Sequence, residues 1–346
     1  MTMNLEFLFL SQDDVNRCGG ADMKTMIDII EKVISLHDKG DYVLPTKSTL
    51  RWGGLDAETT SGRINSMPGF IGGDIQASGI KWISSAPQNP FKYNLPRAAG
   101  VIVLNNPETL LPESIMDGTL ISAMRTGAVS GVVAKHLAKE DSKVLGLIGA
   151  GVQNRTQLKA IQAVCPNIDR VKVADLSLDR AQKFCDEMAL EVKDVTFEIV
   201  SGAEEAVRGS DIFITATVTE KPIVKKDWVD KGSLHIHVGS HECEFDVIDQ
   251  ADKVVVDDWE ELKHRGVETI SIMYSEGKFD PSNIHAELGS IVNGKKAGRE
   301  NDEERIYFNS VGMGIEDVAV AKYIYDQAKA KGIGQALNLW NKPAFV

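Results

Sequence analysis

The chain has 346 residues, 43% hydrophobic and 25% charged, the composition of an ordinary globular protein with length enough for two cores. A formal net charge of -12 leaves no basic stripe to displace counterions, so nucleic-acid backbones are excluded as partners. No stretch approaches the ~20 apolar residues of a membrane-crossing helix, and Cys18, Cys165, Cys185 and Cys243 show neither C-x-x-C nor disulfide-like spacing, which points to a reducing, cytoplasmic compartment.

In chain order, the Leu5–Leu10 run has no basic region before it and reads as a strand rather than a signal peptide. Met23, Met26, Ile27, Ile30, Val33 and Ile34 recur at helical spacing and predict an amphipathic helix over Asp22–His37. Strand-like runs follow at Ile64–Met67, Ile80–Ile83 and Ala99–Leu104, set between Gly- and Pro-rich turns. Ile115–Leu137 reads as one long helix, or as two joined near Gly127 and Gly131. From Lys143 the pattern alternates, with strands predicted at Val144–Ile148, Val171–Asp175, Val195–Val200, Ile212–Thr217, Leu234–Val238 and Val254–Val256. Helical stretches between the first four predict a parallel, doubly wound α/β sheet. A looser polar region follows Glu260, and its charge run Arg299–Arg305 reads as a solvated loop. A strand at Ile306–Ser310 and a helix at Ile315–Lys331 close the chain.

One junction in this pattern carries chemistry. The apolar strand Val144–Ile148 runs into Gly149-Ala150-Gly151-Val152-Gln153-Asn154, and a helix with Leu158, Ile161 and Val164 on one face follows. The first glycine permits a tight turn, and the second lets a pyrophosphate approach the unpaired N–H groups at the helix start. Asn154 stands where the third fingerprint glycine belongs. The second strand ends in Asp175, whose carboxylate suits both ribose hydroxyls and repels a 2′-phosphate, favouring NAD over NADP. The alternative is a structural turn with Asp175 as a helix cap. Thr217-Val218-Thr219 and Val238-Gly239-Ser240 end the fourth and fifth strands, where a nicotinamide ring is expected.

Five motifs taken together resemble the ornithine cyclodeaminase/mu-crystallin family over nearly the whole chain. They are Ser78-Gly79-Ile80-Lys81-Trp82, the Gly100–Leu104 strand followed by Asn106-Pro107-Glu108-Thr109, Ser122-Ala123-Met124-Arg125-Thr126, the Ile148–Gln153 loop, and the run Asn309–Asp317. Within the family the chain is most similar to the siderophore-pathway N-(2-amino-2-carboxyethyl)-L-glutamate dehydrogenases, which use NAD to release 2,3-diaminopropionate and 2-oxoglutarate. Ala251–Trp259, Glu276–Phe279, His285–Gly289 and Gly298-Arg299-Glu300 carry that likeness.

The resemblance implies a first step in which hydride leaves the α-carbon of an amino acid, giving an imine. It implies a Rossmann domain at 128–305 inserted into an α+β substrate-binding and dimerisation domain, residues 1–127 plus 306–346, and a homodimer formed through that domain's sheet. It implies that Lys81 binds substrate and takes part in catalysis, and that Arg125 clamps the α-carboxylate, for which a guanidinium fork is well shaped. A solubility lysine on an edge strand and an ordinary helical ion pair are the competing readings. The family's early arginine is here Lys47, with Arg51 or Arg63 near enough in sequence to compensate; a dicarboxylic substrate would use such cations. Arg97, Thr219 and Ser310 match cofactor positions, and Val311 a substrate position.

The largest departure is at the base. Where cyclodeaminases carry an aspartate, this chain has His241 followed by Glu242, and either can accept a proton; a loop-capping role for His241 is the alternative. His235 and His237, two apart on one strand, read as packing or cofactor-lining residues, since no third ligand has metal-site spacing. Cys243 has no evident activating base. Three functions stand: an NAD-dependent amino-acid dehydrogenase, a cyclodeaminase-like lyase turning ornithine into proline and ammonia while recycling NAD, and a dinucleotide-binding protein without catalysis.

Overall fold

A computed structural model describes residues 4–53, 61–219 and 221–345. The chain forms two compact units, Met1–Arg125 with Met313–Val346, and Thr126–Gly312.

The first unit is built on a mixed sheet. Its strands in chain order are β1 (Leu5–Leu10), β2 (Tyr42–Val43), β3 (Ser48–Trp52), β4 (Gly62–Ile71), β5 (Ala77–Ser85), β6 (Ala98–Asn105) and β7 (Pro112–Asp117). Spatially a C-terminal strand, Gln335–Trp340, leads to β1, β7, β6, β5, β4 and β2, with β3 also paired to β4. Helix Met23–Asp38 begins at Asp22, whose carboxylate accepts from the N–H groups of Lys24 and Thr25, and it buries the apolar stripe expected of it. Helix Gly314–Lys331 packs across β4, β5 and β6. Its approach is close at Gly314, where a Cβ would stand 2.8 Å from the Met67 carbonyl oxygen. That contact fixes the depth at which the helix's first turn meets the sheet. The opposite sheet face leaves Val43, Leu50, Trp52, Trp82 and Val101 exposed.

Residues 115–117, expected to be helical, instead end β7. Ser114 and Met116 point inward, and Asp117 Oδ2 accepts from the N–H of Leu120 to start the helix Thr119–Leu137. That helix is continuous through Gly127 and Gly131. A Cβ on Gly127 would lie 2.6 Å from the Thr156 carbonyl oxygen, so the glycine serves close packing rather than a break.

The second unit is an all-parallel sheet of β8 (Val144–Ile148), β9 (Arg170–Ala174), β10 (Thr196–Ile199), β11 (Ile212–Thr215), β12 (Leu234–His237), β13 (Lys253–Val256), β14 (Ile284–Glu287) and β15 (Ile306–Asn309). The order is β10-β9-β8-β11-β12-β15-β13-β14, which reverses direction beside β8, the doubly wound arrangement. The six strands expected from Lys143 to Val256 are present. The strand expected at Ile306–Ser310 is β15, and it belongs here rather than with the first unit, because it hydrogen-bonds between β12 and β13. The supposedly loose region after Glu260 holds helices Trp259–Leu262, Thr269–Ser275 and Leu288–Val292 as well as β14.

The Arg299–Arg305 run is more than solvated loop. Arg299 Nε donates to the Leu137 carbonyl (2.7 Å), capping a helix end, and Lys253 Nζ holds Glu300 (2.7 Å) and Glu304 (3.0 Å). All four cysteines are buried free thiols, and burial pushes Cys165 and Cys185 up to about 11 and Cys243 to about 12. Among the described residues no helix is long and apolar enough to cross a membrane.

Candidate active site

The glycine turn has the geometry that a pyrophosphate needs. Gly149 sits at φ 101°, where a Cβ would meet the Ala216 carbonyl oxygen at 2.9 Å. A Cβ on Gly151 would meet nothing within 4 Å, so the space before the helix Val152–Val164 is open. Gly151 is that helix's N-cap, and no side chain caps its first-turn N–H groups, which therefore face an approaching anion. Gln153 Oε1 is buried without a hydrogen-bond partner among the described residues. Asn154, fully buried in the third glycine's place, ties the turn shut from inside. Its Nδ2 donates to the carbonyls of Ile148 (3.0 Å) and Gly149 (2.5 Å).

Asp175 follows β9 and reaches back to this turn. Its Oδ2 accepts from the Ala150 N–H (2.8 Å), and its Oδ1 accepts from the Ser177 N–H (2.9 Å). Ser177, not Asp175, caps the following helix.

Beyond β11 and β12 the chain is braced by Glu242. This fully buried carboxylate accepts from the Thr217 N–H (2.6 Å) and hydroxyl (2.6 Å) and from the Gly239 N–H (2.9 Å). Glu242 thus joins the loop carrying Thr217, Val218 and Thr219 to the loop carrying Val238, Gly239 and Ser240. Of the two candidate bases it is the one whose oxygens are already occupied.

His241 is the other. It is half-buried and stacked on Phe245 at 5.9 Å, and its Nε2 is buried with no hydrogen-bond partner among the described residues. Burial, then the neighbouring His237, lowers its pKa below the ordinary 6.5 against the pull of Glu276. The imidazole is therefore neutral at pH 7 and able to take a proton.

His235 and His237 do share one side of β12, with rings 5.5 Å apart. Both are core residues. His237 meets the Tyr307 hydroxyl and the Ser240 carbonyl, each at 2.6 Å, and His235 meets Thr215 Oγ1 at 3.1 Å. No group of three metal-ligating side chains occurs among the described residues.

A residue given no role from sequence governs the loop after β15. Asp257, at the end of β13 and buried, accepts from Ser310 Oγ (3.0 Å) and from the N–H groups of Val311 (2.8 Å) and Gly312 (2.8 Å). Gly312 supplies the positive φ, 66°, that lets successive N–H groups converge on one carboxylate. Asp257 lay within the Ala251–Trp259 motif, but nothing in sequence marks a partner 54 residues away.

In the first unit, Lys81 and Arg125 meet in a buried cluster of charges. Lys81 Nζ bonds Asp317 Oδ2 (2.6 Å) and Ser122 Oγ (3.2 Å). Arg125 NH1 holds Glu316 Oε2 (2.7 Å), and its Nε holds Asp317 Oδ1 (3.2 Å). The acids stand on the first turn of Gly314–Lys331, where a helix favours carboxylates. Burial, with repulsion from Arg125, lowers Lys81 to about 8 against the attraction of Asp317 and Glu316. Burial acts against Arg125 as well, but the two acids outweigh it and raise its pKa. Glu316 and Asp317 were quoted in a motif without a role.

The remaining cations lie nearer the surface of the same unit. Lys47 is half-buried just before β3, Arg51 is exposed on β3, and Arg97 donates from Nε to Ser85 Oγ (3.3 Å).

A doubly wound sheet with this turn and this acid defines an NAD-binding domain. The profile of the ornithine cyclodeaminase/mu-crystallin family matches residues 9–332, and the chain belongs to that family. It is 41% identical over 340 residues to the N-((2S)-2-amino-2-carboxyethyl)-L-glutamate dehydrogenase of Staphylococcus aureus (strain NCTC 8325 / PS 47), covering 98% of this chain and 100% of the relative. Among solved structures it matches Thermococcus litoralis Δ(1)-pyrroline-2-carboxylate reductase in complex with NADH and L-proline, with a TM-score of 0.88 and 37% identity over 96% of this chain and 100% of that one. An archaeal alanine dehydrogenase dimer with bound NAD gives a TM-score of 0.88 and 34% identity over 97% and 100%.

Proposed function

We propose that the chain oxidises an N-substituted amino acid of the N-(2-amino-2-carboxyethyl)-L-glutamate type, releasing 2,3-diaminopropionate and 2-oxoglutarate. The observation that carries this reading is the buried pair of cations, Lys81 and Arg125, supported by the full-length likeness to the staphylococcal dehydrogenase.

NAD, bound at the Gly149–Gly151 turn, supplies the hydride acceptor. Lys81 and Arg125 take the α-carboxylate of the glutamyl moiety and so orient its α-carbon. His241 accepts the proton from the secondary amine as hydride leaves that carbon, giving an imine. Water adds to the imine carbon and the carbon–nitrogen bond breaks, so one NAD and one water yield NADH, a proton and the two products. Asp257 and Glu242 act by holding the loops of Ser310, Val311, Thr217 and Gly239 in place.

The exposed outer sheet face of the first unit, with Trp82 and Val101 at its centre, supports a homodimer formed by a second copy of the chain. A single monomer mass in sedimentation would overturn that.

The reaction is tested by mass spectrometry of products, with NADH absorbance followed in parallel. Equal amounts of NADH, 2,3-diaminopropionate and 2-oxoglutarate are expected. Proline and ammonia from ornithine without NADH accumulation would make the chain a cyclodeaminase instead. Tight dinucleotide binding with no turnover on an amino-acid panel would make it a binding protein.

A further inference from the structure

The sheet face that carries Lys81 continues past the buried cluster. Directly opposed residues of an antiparallel pair share a face, and every second residue along a strand repeats it. On β4 and β5 the register opposes Met67 to Lys81, Asn65 to Ile83 and Arg63 to Ser85. On β3 and β4 it opposes Thr49 to Asn65 and Arg51 to Arg63. No bulge interrupts either ladder over these pairs, so Lys81, Asn65, Thr49, Arg63, Arg51 and Ser85 all stand on one face.

Two observations set this stretch apart from ordinary surface. Thr49 Oγ1 donates to Asn65 Oδ1 (3.1 Å), so on β3 and β4 the step between the lysine and the arginines is polar, with Ile83 completing that row on β5. At the far end Arg97 Nε donates to Ser85 Oγ (3.3 Å), which brings a third guanidinium to the level where Arg51 and Arg63 oppose each other. Grouped guanidinium forks match the planar geometry of carboxylates.

We propose that Arg51, Arg63 and Arg97 form a second carboxylate subsite, which selects amino acids bearing a distal carboxylate over those with one carboxylate alone. The arginine level lies four residues from Lys81 along β5, roughly 14 Å at about 3.4 Å per residue. Long arginine side chains and an extended substrate with carboxylates at both ends span that distance together. The subsite deepens the reading above, resting on its placement of the α-carboxylate at Lys81 and Arg125. It assigns the bulk of the substrate to β3 and β4 and leaves the reacting carbon where that reading puts it.

The test compares 2-oxoglutarate with 2-oxobutyrate, a 2-oxo acid lacking the distal carboxylate, by calorimetric titration of the NADH-loaded enzyme. The proteins are wild type, Arg51→Gln, Arg63→Gln and Arg51→Lys. In wild type 2-oxoglutarate binds at least about tenfold tighter, equivalent to about 1.4 kcal/mol. Either glutamine variant brings the ratio close to one by weakening 2-oxoglutarate alone, and Arg51→Lys retains part of it because charge survives without the fork. An unchanged ratio in both glutamine variants, or equal weakening of the two acids, overturns the proposal. Turnover of N-(2-amino-2-carboxyethyl)-L-glutamate is scored alongside. Turnover with an unchanged ratio sinks the subsite alone, and a ratio lost in the variants without wild-type turnover sinks the reaction and keeps the subsite.

Discussion

In the unit built on the mixed sheet, Lys81 and Arg125 are buried against Glu316 and Asp317, charge against charge. In the parallel unit, Asp257 and Glu242 are buried against backbone N–H groups and hydroxyls. Both solutions satisfy the rule that a buried charge must be compensated, but they differ in what can move. An ion pair can change partners. In the proposed reaction a substrate carboxylate would offer Lys81 and Arg125 the same chemistry that Asp317 and Glu316 already provide, and ligand binding would then be an exchange. A carboxylate holding main-chain donors is committed, because releasing them means moving the loop itself. The first arrangement suits a binding site and the second suits a scaffold.

The sharpest way to break this contrast is Lys81→Met. It removes the ammonium from Asp317, which keeps its bond to Arg125, so the loss of stability stays below the roughly 3–5 kcal/mol of a buried pair stripped of its only partner. The loss in kcat/KM is expected to be about a thousandfold, about 4 kcal/mol at 1.36 kcal/mol per decade. Denaturant unfolding and steady-state kinetics check both, and a near-normal kcat/KM would refute the exchangeable-pair view.

Asp257→Asn probes the other side with a smaller effect. One oxygen becomes an NH2 facing the N–H groups of Val311 and Gly312, and a buried donor left unpaired costs about 1–3 kcal/mol. A lower melting temperature and a raised KM are expected, with the pH profile unmoved, because Asp257 transfers no proton. A displaced pH limb would show that it does.

The mildest probe is pH itself. Lys81 titrates near 8, below its ordinary 10.5, so the ammonium is lost and substrate binding weakens as pH rises through about 8, while Arg125 stays charged. Stability moves the other way. Between about 8 and 10.5 the unfolded lysine binds more protons than the folded one, so this group's effect on unfolding free energy rises with pH across that window. His241, held below 6.5, places an acid limb under that value. Lys81→Arg is expected to erase the alkaline limb and His241→Asn the acid limb, read as log kcat/KM against pH. Retention of the acid limb in His241→Asn would remove His241 from the base role.

Much of this was legible in the sequence where signals are local. Val144–Ile148 is a continuous buried apolar strand entering two glycines, and that run announced the parallel unit. Where hydrophobic period was ambiguous the reading failed. Ile115 and Met116 sit beside a long helical pattern and were absorbed into it, although Gly118 separates them from the helix. The C-terminal strand Gln335–Trp340 is an edge strand and mostly exposed, so alternation did not reveal it. β15 was found as a strand but placed with the wrong unit, because sequence order says nothing of insertion between β12 and β13.

The site divides along the same line. Lys81 and Arg125 were singled out by the family resemblance, but nothing in it showed the acids that hold them, one of which bonds the lysine from 236 positions later. The brace made by Glu242 is close in sequence to Gly239, yet its decisive bonds to Thr217 cross from another strand. Hydrogen-bond accounting, not residue type, separates Glu242 from His241.

The four inward-facing cysteines have a practical consequence. Because burial holds three of them at about 11 or above and keeps all four inside, alkylating reagents at neutral pH meet little thiolate on the native chain. Labelling then becomes a clock for unfolding, since each thiol reacts when its own unit opens. Cys18 reports on the mixed-sheet unit, and Cys165, Cys185 and Cys243 report on the parallel one. A single cysteine introduced on the surface would also carry a fluorophore without prior removal of the native four.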